Sequence, residues 1–285
     1  MANVNASPER YYLPEPSKWP ITGSLALGLL GFGAAFTVNF LPIGYILLSL
    51  GFAVLIYMMF GWFGTVVRES ESGKYNKRVD ISFRWGMSWF IFSEVMFFGV
   101  FFGTLYYMRV LSVPWLGEID QKLLWPEFSP GWPVSGPGIA EQFTPMGAWG
   151  IPALNTLILL TSGVTITLAH WALKKNNRGA LVGWMMATVA LGLTFLGFQI
   201  YEYGHAYSEL NLKLTSGAYG ATFFMLTGFH GFHVTVGTIM LIVITARCMK
   251  GHFTPEHHFG FEGVAWYWHF VDVVWLFLFI FVYWL

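Results

Sequence analysis

The chain has 285 residues, of which 55% are hydrophobic, 19% aromatic and only 11% charged. A soluble domain carries roughly 25% charged residues, so this composition excludes a soluble globular protein and predicts a polytopic membrane protein. The formal net charge is zero, and the single cysteine, Cys248, excludes an internal disulfide and any site that needs two thiolates from this chain.

The first 67 residues are predicted to form a polar tail followed by a helical hairpin. Residues 1–20 contain several prolines and no short apolar core before a small-residue cleavage site, so we interpret them as a tail and not as a signal peptide. Two apolar spans follow at 21–41 and 43–67, separated only by Pro42. So short a turn makes the two spans antiparallel neighbours.

A compact charged loop is predicted at 68–81, and the third span, at 82–108, has one acid near its middle. Glu94 lies ten residues after Arg84, which corresponds to a depth of about 15 Å in a hydrocarbon layer about 30 Å thick. An ionised carboxylate at that depth is costly unless it is protonated, paired or hydrated. Glu94 is therefore either a functional group or a hydrogen-bonded acid in a helix interface, and the sequence favours neither interpretation over the other.

The third span and four further spans are predicted to form a five-helix bundle over 82–285. The segment 112–148 is rich in Pro and Trp, and we expect an ordered loop on the outer membrane surface, because Pro-rich backbone cannot face lipid. The sequence therefore predicts an all-α membrane protein with seven transmembrane helices. The last four spans are predicted at 149–173, 180–203, 216–246 and 259–285.

The distribution of basic residues predicts the orientation. Of the 15 Lys and Arg residues, 12 fall on the side of the N-terminus, and only Arg109, Lys122 and Lys213 fall on the other. By the positive-inside rule the N-terminus is cytoplasmic, and after seven crossings the C-terminus is periplasmic.

Two histidines of the sixth span share a helix face, because His230 and His233 are three residues apart in GFHGFH. With Glu94 they could form a two-His, one-carboxylate iron site. The favoured interpretation is that they hydrogen-bond across helices to acids such as Glu94 or Glu202.

The last span has a second polar pair, His269 and Asp272, also three residues apart. Asp272 lies near the middle of the span. A polar contact between helices is favoured over a role in proton transfer.

Other histidines are not expected to bind metal. His252, His257 and His258 belong to HFTPEHHFGFE, which resembles a metal site in composition only and for which a lipid phosphate is the simpler partner. His170 is expected at the rim of the fourth span and is assigned no role. The chain has no paired-Cys copper motif, no CxxCH haem attachment, no phosphate loop and no nucleophile elbow. A haem site remains open at this point, because axial histidines need no motif.

Motifs in or beside all seven spans resemble those of cytochrome c oxidase subunit III, and together they cover nearly the whole chain. The motif of the last span, WYWHFVDVVWLFLF, is long and close to diagnostic. The motifs are PSKWPITGS, VVRES, FSEVMFFGVFF, LNTLILLTSGVTITLAH, YGATFFMLTGFHGFHVTVGT, HFTPEHHFGFE and WYWHFVDVVWLFLF.

The resemblance implies a multi-pass subunit of an aa3-type haem–copper oxidase in a bacterial inner (plasma) membrane or its mitochondrial counterpart. It implies that the first two helices lean away from the other five and leave a V-shaped cleft that holds phospholipid. It places haem a, haem a3 and the catalytic copper in subunit I and the dinuclear copper in subunit II, so this chain would hold no cofactor other than lipid. The subunit would support subunit I, its main partner, and sustain proton uptake and oxygen access; no nucleic acid is expected.

The resemblance also implies roles for residues. Glu94 corresponds to the family's carbodiimide-reactive membrane acid beside the cleft, and His230, His233 and Asp272 are taken as its buried partners. In the turn before VVRES, where family members often have a basic residue, this chain has Gly64, so the head-group pocket is expected to lack one positive charge. The residues that match the family's lipid head-group contacts are Arg68, Arg84, Arg247, Lys250 and His252.

Three other interpretations belong to different branches or classes. The third subunit of a quinol oxidase would keep the buried acid but usually has fewer spans. A proton-coupled transporter would use Glu94, Glu202 and Asp272 as relays, although no internal repeat and no Pro-broken helix in mid-membrane supports it. A di-iron or haem membrane enzyme is a further alternative, and it would contain metal in the isolated chain.

Overall fold

A computed structural model describes residues 11–139 and 141–285, so the first ten residues of the predicted tail lie outside the described residues. The described residues form helices and irregular segments, with no strand among them. In chain order the helices are α1 (Trp19–Val38), α2 (Ile43–Glu71), α3 (Lys77–Tyr106), α4 (Val113–Trp115), α5 (Ile119–Lys122), α6 (Ile151–Lys174), α7 (Arg178–Ser208), α8 (Gly217–Lys250) and α9 (Phe259–Leu278), with π-helical segments at Tyr107–Ser112 and Phe279–Trp284.

Seven of these helices, all except the short α4 and α5, are long and apolar enough to cross a membrane. This confirms the predicted all-α fold with seven spans. The third span is longer than predicted, because α3 continues through the first π-helical segment and α4 to Trp115. The chain divides into two compact units, one up to Phe83 and the other from Arg84 to Leu285.

The first unit contains α1 and α2 as an antiparallel hairpin in which small residues let the backbones approach. A Cβ atom on Gly33 would lie 2.7 Å from the backbone nitrogen of Leu48, and one on Gly51 would lie 2.9 Å from that of Leu30. Such distances exclude any larger residue without a shift of the helices. Close backbone approach is how helices gain packing energy where lipid supplies no hydrophobic drive.

The predicted charged loop at 68–81 is mostly helical. Helix α2 continues to Glu71 and α3 begins at Lys77, so only 72–76 lies between them. The amide groups of Arg78 and Val79 donate to the side chain of Asn76 at 3.1 and 3.2 Å, which caps the start of α3. Charged residues such as Lys, Arg and Glu are good helix formers, so a run of charges did not by itself indicate a loop.

Two tyrosines pack beside this short connection. Tyr75 donates a hydrogen bond to Glu69 at 2.7 Å, and its ring lies 5.7 Å from that of Tyr12. Burial, followed by the hydrogen bond to Glu69, raises the pKa of Tyr75 above the ordinary value for tyrosine. The phenol therefore stays protonated and keeps donating at neutral pH.

The second unit is built around α9, which packs against both α6 and α8. Its Trp268 and Trp275 are fully buried and each donates an indole hydrogen bond to α6, to Ser162 at 2.8 Å and to Thr156 at 2.9 Å. Aromatic rings thus fill the core, and each indole N–H has the partner that a buried donor requires.

The long connection between α3 and α6 is ordered against the start of α8. Ala218 donates to the carbonyl of Ser135 at 2.8 Å, and Tyr219 donates to that of Val134 at 3.1 Å. The ring of Tyr219 stacks on Phe143 with centroids 5.3 Å apart. These contacts hold the connection to the end of the bundle.

Candidate functional site

Glu94, the acid of α3, pairs with His233 of α8. The Oε2 atom of Glu94 lies 2.8 Å from Nε2 of His233. The side chain of Glu94 is 21% exposed and that of His233 is 9% exposed. This contact is of the kind favoured from the sequence, in which a histidine hydrogen-bonds to an acid of another helix.

The hydrogen bonds of His233 define the proton count of the pair. Its Nδ1 atom lies 2.6 Å from the carbonyl oxygen of Phe229, and because a carbonyl only accepts, Nδ1 bears a proton. One further proton therefore lies between Glu94 and Nε2. It sits either on an imidazolium that faces a carboxylate or on a carboxylic acid that faces a neutral imidazole. Both arrangements are neutral overall, which removes most of the cost of placing an acid at this depth.

Aromatic side chains surround the pair. The ring of His233 lies 5.0 Å from that of Phe98, 5.9 Å from that of Phe97 and 6.4 Å from that of Tyr267. Apolar rings exclude water and lower the local dielectric constant, which strengthens a hydrogen bond between partners that are both satisfied. The pair can hold and exchange one proton, but it offers no set of three ligands for a metal ion.

His230, although on the same face as His233, contacts other groups. Its Nε2 atom lies 3.2 Å from the carbonyl oxygen of Val271 on α9, and its ring lies 5.1 Å from that of Trp275. It is 1% exposed and links α8 to α9. The structure therefore does not bring His230 to Glu94, and the iron site considered from the sequence is not formed by these three residues.

Asp272 is also separate from Glu94. Its Oδ2 atom lies 3.7 Å from Nδ1 of His269, and it packs against Gly163 of α6, where any Cβ atom would overlap it. Its Oδ1 atom is buried without a hydrogen-bond partner among the described residues. His269 and Asp272 line an open groove of about 520 Å³ between α6 and α9.

The predicted lipid head-group residues separate into three places. Arg68, in the first unit, donates to Thr65 at 3.0 Å. Arg84, at the start of the second unit, forms an ion pair with Glu262 of α9. The other three gather at the end of α8: Arg247 lies over the ring of Phe253 at 4.5 Å and within 3.5 Å of His252, and Lys250 is the exposed last residue of the helix.

Sequence reasoning missed a cluster of two histidines and one acid. The Nε2 atoms of His170 and His258 lie 3.2 Å apart, and Oε1 of Glu262 lies 3.4 Å from the former and 3.2 Å from the latter. His258 and Glu262 are four residues apart where α9 begins, a spacing visible in the sequence. His170, 88 residues from His258, joins them only through the fold.

A second unpredicted contact involves Glu202 of α7. The hydroxyl of Tyr283 donates to its Oε1 atom at 2.5 Å, and both side chains are buried. Glu202 was considered from the sequence as a partner for the histidines of α8. The final π-helical segment instead supplies its partner, so Glu94, Glu202 and Asp272 contact three different groups.

Comparison with known proteins gives one consistent result. A family model described as cytochrome c oxidase subunit III matches residues 9–285. Relatives named cytochrome c oxidase subunit 3 are similar over nearly the full length. The one from Marchantia polymorpha is 43% identical over 275 residues, or 96% of each chain. The one from Triticum aestivum is 42% identical over 282 residues, or 99% of this chain and 98% of the relative, and the one from Latimeria chalumnae is 42% identical over 275 residues, or 96% of each. These matches confirm the resemblance seen in the motifs of the seven spans.

Proposed function

Since the chain belongs to the cytochrome c oxidase subunit III family, a component of an oxidoreductase complex, we propose that it is the non-redox subunit of that complex. In this role it flanks and supports subunit I, which with subunit II holds haem a, haem a3 and copper. It sustains the proton uptake and oxygen access that the reduction of O2 to water requires. The relatives' shared name supports this branch over a quinol oxidase.

The observation on which the proposal chiefly rests is the Glu94–His233 pair. The carboxylate of Glu94 and Nε2 of His233 can each accept a proton, and the pair holds one exchangeable proton in an aromatic shell. A group of this kind can pass its proton to a neighbour if another donor replaces that proton, because the pair carries one negative charge until it is reprotonated. It has no chemistry for electron transfer.

The test replaces the acid in the intact oxidase complex. Glu94→Gln keeps the size and a hydrogen bond to His233 but cannot exchange a proton. We expect an unchanged haem spectrum and slower proton uptake during turnover. Glu127→Gln, at an exposed acid of the outer connection, is the control and should leave both unchanged. Loss of the haem spectrum in Glu94→Gln would contradict a role outside the redox centres.

Phospholipid is the ligand we propose for the cations at the end of α8. Arg247, Lys250 and His252 lie together there, and a lipid phosphate at the cytoplasmic surface suits such a group. Arg84 is expected to contribute less because Glu262 already balances its charge. Arg247→Gln should lower the phosphorus content of the delipidated, purified complex, whereas Lys122→Gln, at an exposed lysine of the outer connection, should not.

We place the complex in a bacterial inner membrane, with the N-terminus cytoplasmic and the C-terminus periplasmic. The bias of 12 basic residues out of 15 toward one side supports this orientation. Alkaline phosphatase fused after Leu285 should be active. An inactive fusion would contradict the proposed orientation.

A further inference from the structure

We propose that His170, His258 and Glu262 form a binding site for Zn²⁺ that joins the end of α6 to the start of α9. Among residues 11–139 and 141–285, these are the three His, Cys, Asp or Glu side chains whose ligand atoms converge closely enough to hold one ion. The proposal does not depend on the role of Glu94, because the site shares no residue with the Glu94–His233 pair.

The spacing of the three atoms matches a tetrahedral ion. Ligands about 2.0–2.1 Å from a tetrahedral Zn²⁺ lie roughly 3.3–3.4 Å from one another. The three separations here are 3.2, 3.2 and 3.4 Å. Two imidazoles and one carboxylate are a common ligand set for zinc, so the ligand types favour this ion.

The surrounding hydrogen bonds present the correct atoms. The Nδ1 atom of His258 lies 3.0 Å from the carbonyl of Thr254, so Nδ1 bears the ring proton and Nε2 has a free lone pair directed at the cluster. Arg84 pairs with the Oε2 atom of Glu262, which leaves Oε1 for the ion. A carboxylate held in this way by a neighbouring cation is a typical support for a metal ligand.

The burial of the three side chains indicates how an ion enters. Those of His258 and Glu262 are 8% and 11% exposed, whereas that of His170 is 23% exposed. Three protein ligands leave a fourth position for water on the side of His170. We therefore expect an exchangeable zinc site and not a closed structural one.

The test measures zinc in the intact oxidase complex. The complex is treated with a chelator, equilibrated with zinc chloride and passed through a desalting column, and zinc is counted per complex, taken as two haems. We expect the unsubstituted complex to retain one more zinc ion than His258→Ala. His257→Ala, at the exposed neighbouring histidine, is the matched control and should retain the same number as the unsubstituted complex. Equal zinc in the unsubstituted complex and in His258→Ala would overturn the proposal.

A second variant keeps the test decisive if His258→Ala fails to assemble. His258→Cys supplies a thiolate in place of the imidazole, and a bound ion would show a Zn–S distance of about 2.3 Å in its X-ray absorption spectrum. Retention of zinc with that sulfur shell supports the site. An assembled His258→Cys complex without the sulfur shell overturns it, and so does an unsubstituted complex that binds no added zinc.

Discussion

At the scale of single residues, the partners of the buried polar groups follow from which helix packs on each side of α8. His230 and His233 share a face, but His230 meets α9 and His233 meets α3. Spacing along one helix could predict that both are buried. It could not predict that Glu94, 139 residues from His233, would hydrogen-bond to that histidine. Nor could it predict that His230 would contact a backbone carbonyl instead. That choice depends on the packing of three helices.

The Glu94–His233 hydrogen bond leads to a prediction about stability. In Glu94→Gln the amide can still donate to Nε2 of His233, so we expect little loss. In Glu94→Leu that nitrogen is left buried without a partner, which typically costs about 1–3 kcal/mol. Thermal unfolding of the purified complex, followed through the subunit's release, should show a lower midpoint for Glu94→Leu than for Glu94→Gln. Equal midpoints would mean that the hydrogen bond contributes nothing to stability.

At the scale of helices, long apolar runs predicted the spans well, and charges predicted their ends poorly. The charged run at 68–81 continues both neighbouring helices, because Lys, Arg and Glu favour helix and Asn76 caps α3. The cluster of His170, His258 and Glu262 could not be predicted from the sequence, for a related reason. Two of its members share one turn, but the third comes from another helix whose register against α9 depends on the packed core.

Glycines at helix contacts lead to a second prediction. A Cβ atom on Gly237 of α8 would lie 2.9 Å from the ring of Trp268, which is fully buried and cannot move aside. We expect Gly237→Ala to destabilise the subunit by roughly 1–3 kcal/mol through overpacking. Gly231→Ala on the same helix has no atom within 4 Å of the new Cβ and should be neutral or slightly stabilising.

Thermal unfolding of the two variants provides the check. The matched pair separates crowding from the general preference of helices for Ala over Gly, because both substitutions change that preference equally. If Gly231→Ala were as destabilising as Gly237→Ala, close packing against Trp268 would not be the cause.

At the scale of the whole molecule, the number of spans and the family could be predicted because they depend on features distributed along the chain. Each of the seven spans is a long apolar run, and the family motifs lie in or beside every one. The pairing of polar groups inside the bundle could not be predicted in the same way, because contacts such as Trp268–Ser162 or Glu202–Tyr283 join distant segments. Composition is therefore informative about the membrane and the fold, and the packed structure about the chemistry.

The most direct test of the central claim is to purify the tagged chain from its membrane in mild detergent, record the optical spectrum, and then release the chain from its partners. The account predicts that haem copurifies with the chain and stays with the partner subunits after release, so the separated chain shows no haem absorption. A separated chain that retains haem, or a chain that purifies intact from an oxidase-containing membrane without any haem-bearing partner, would contradict the account.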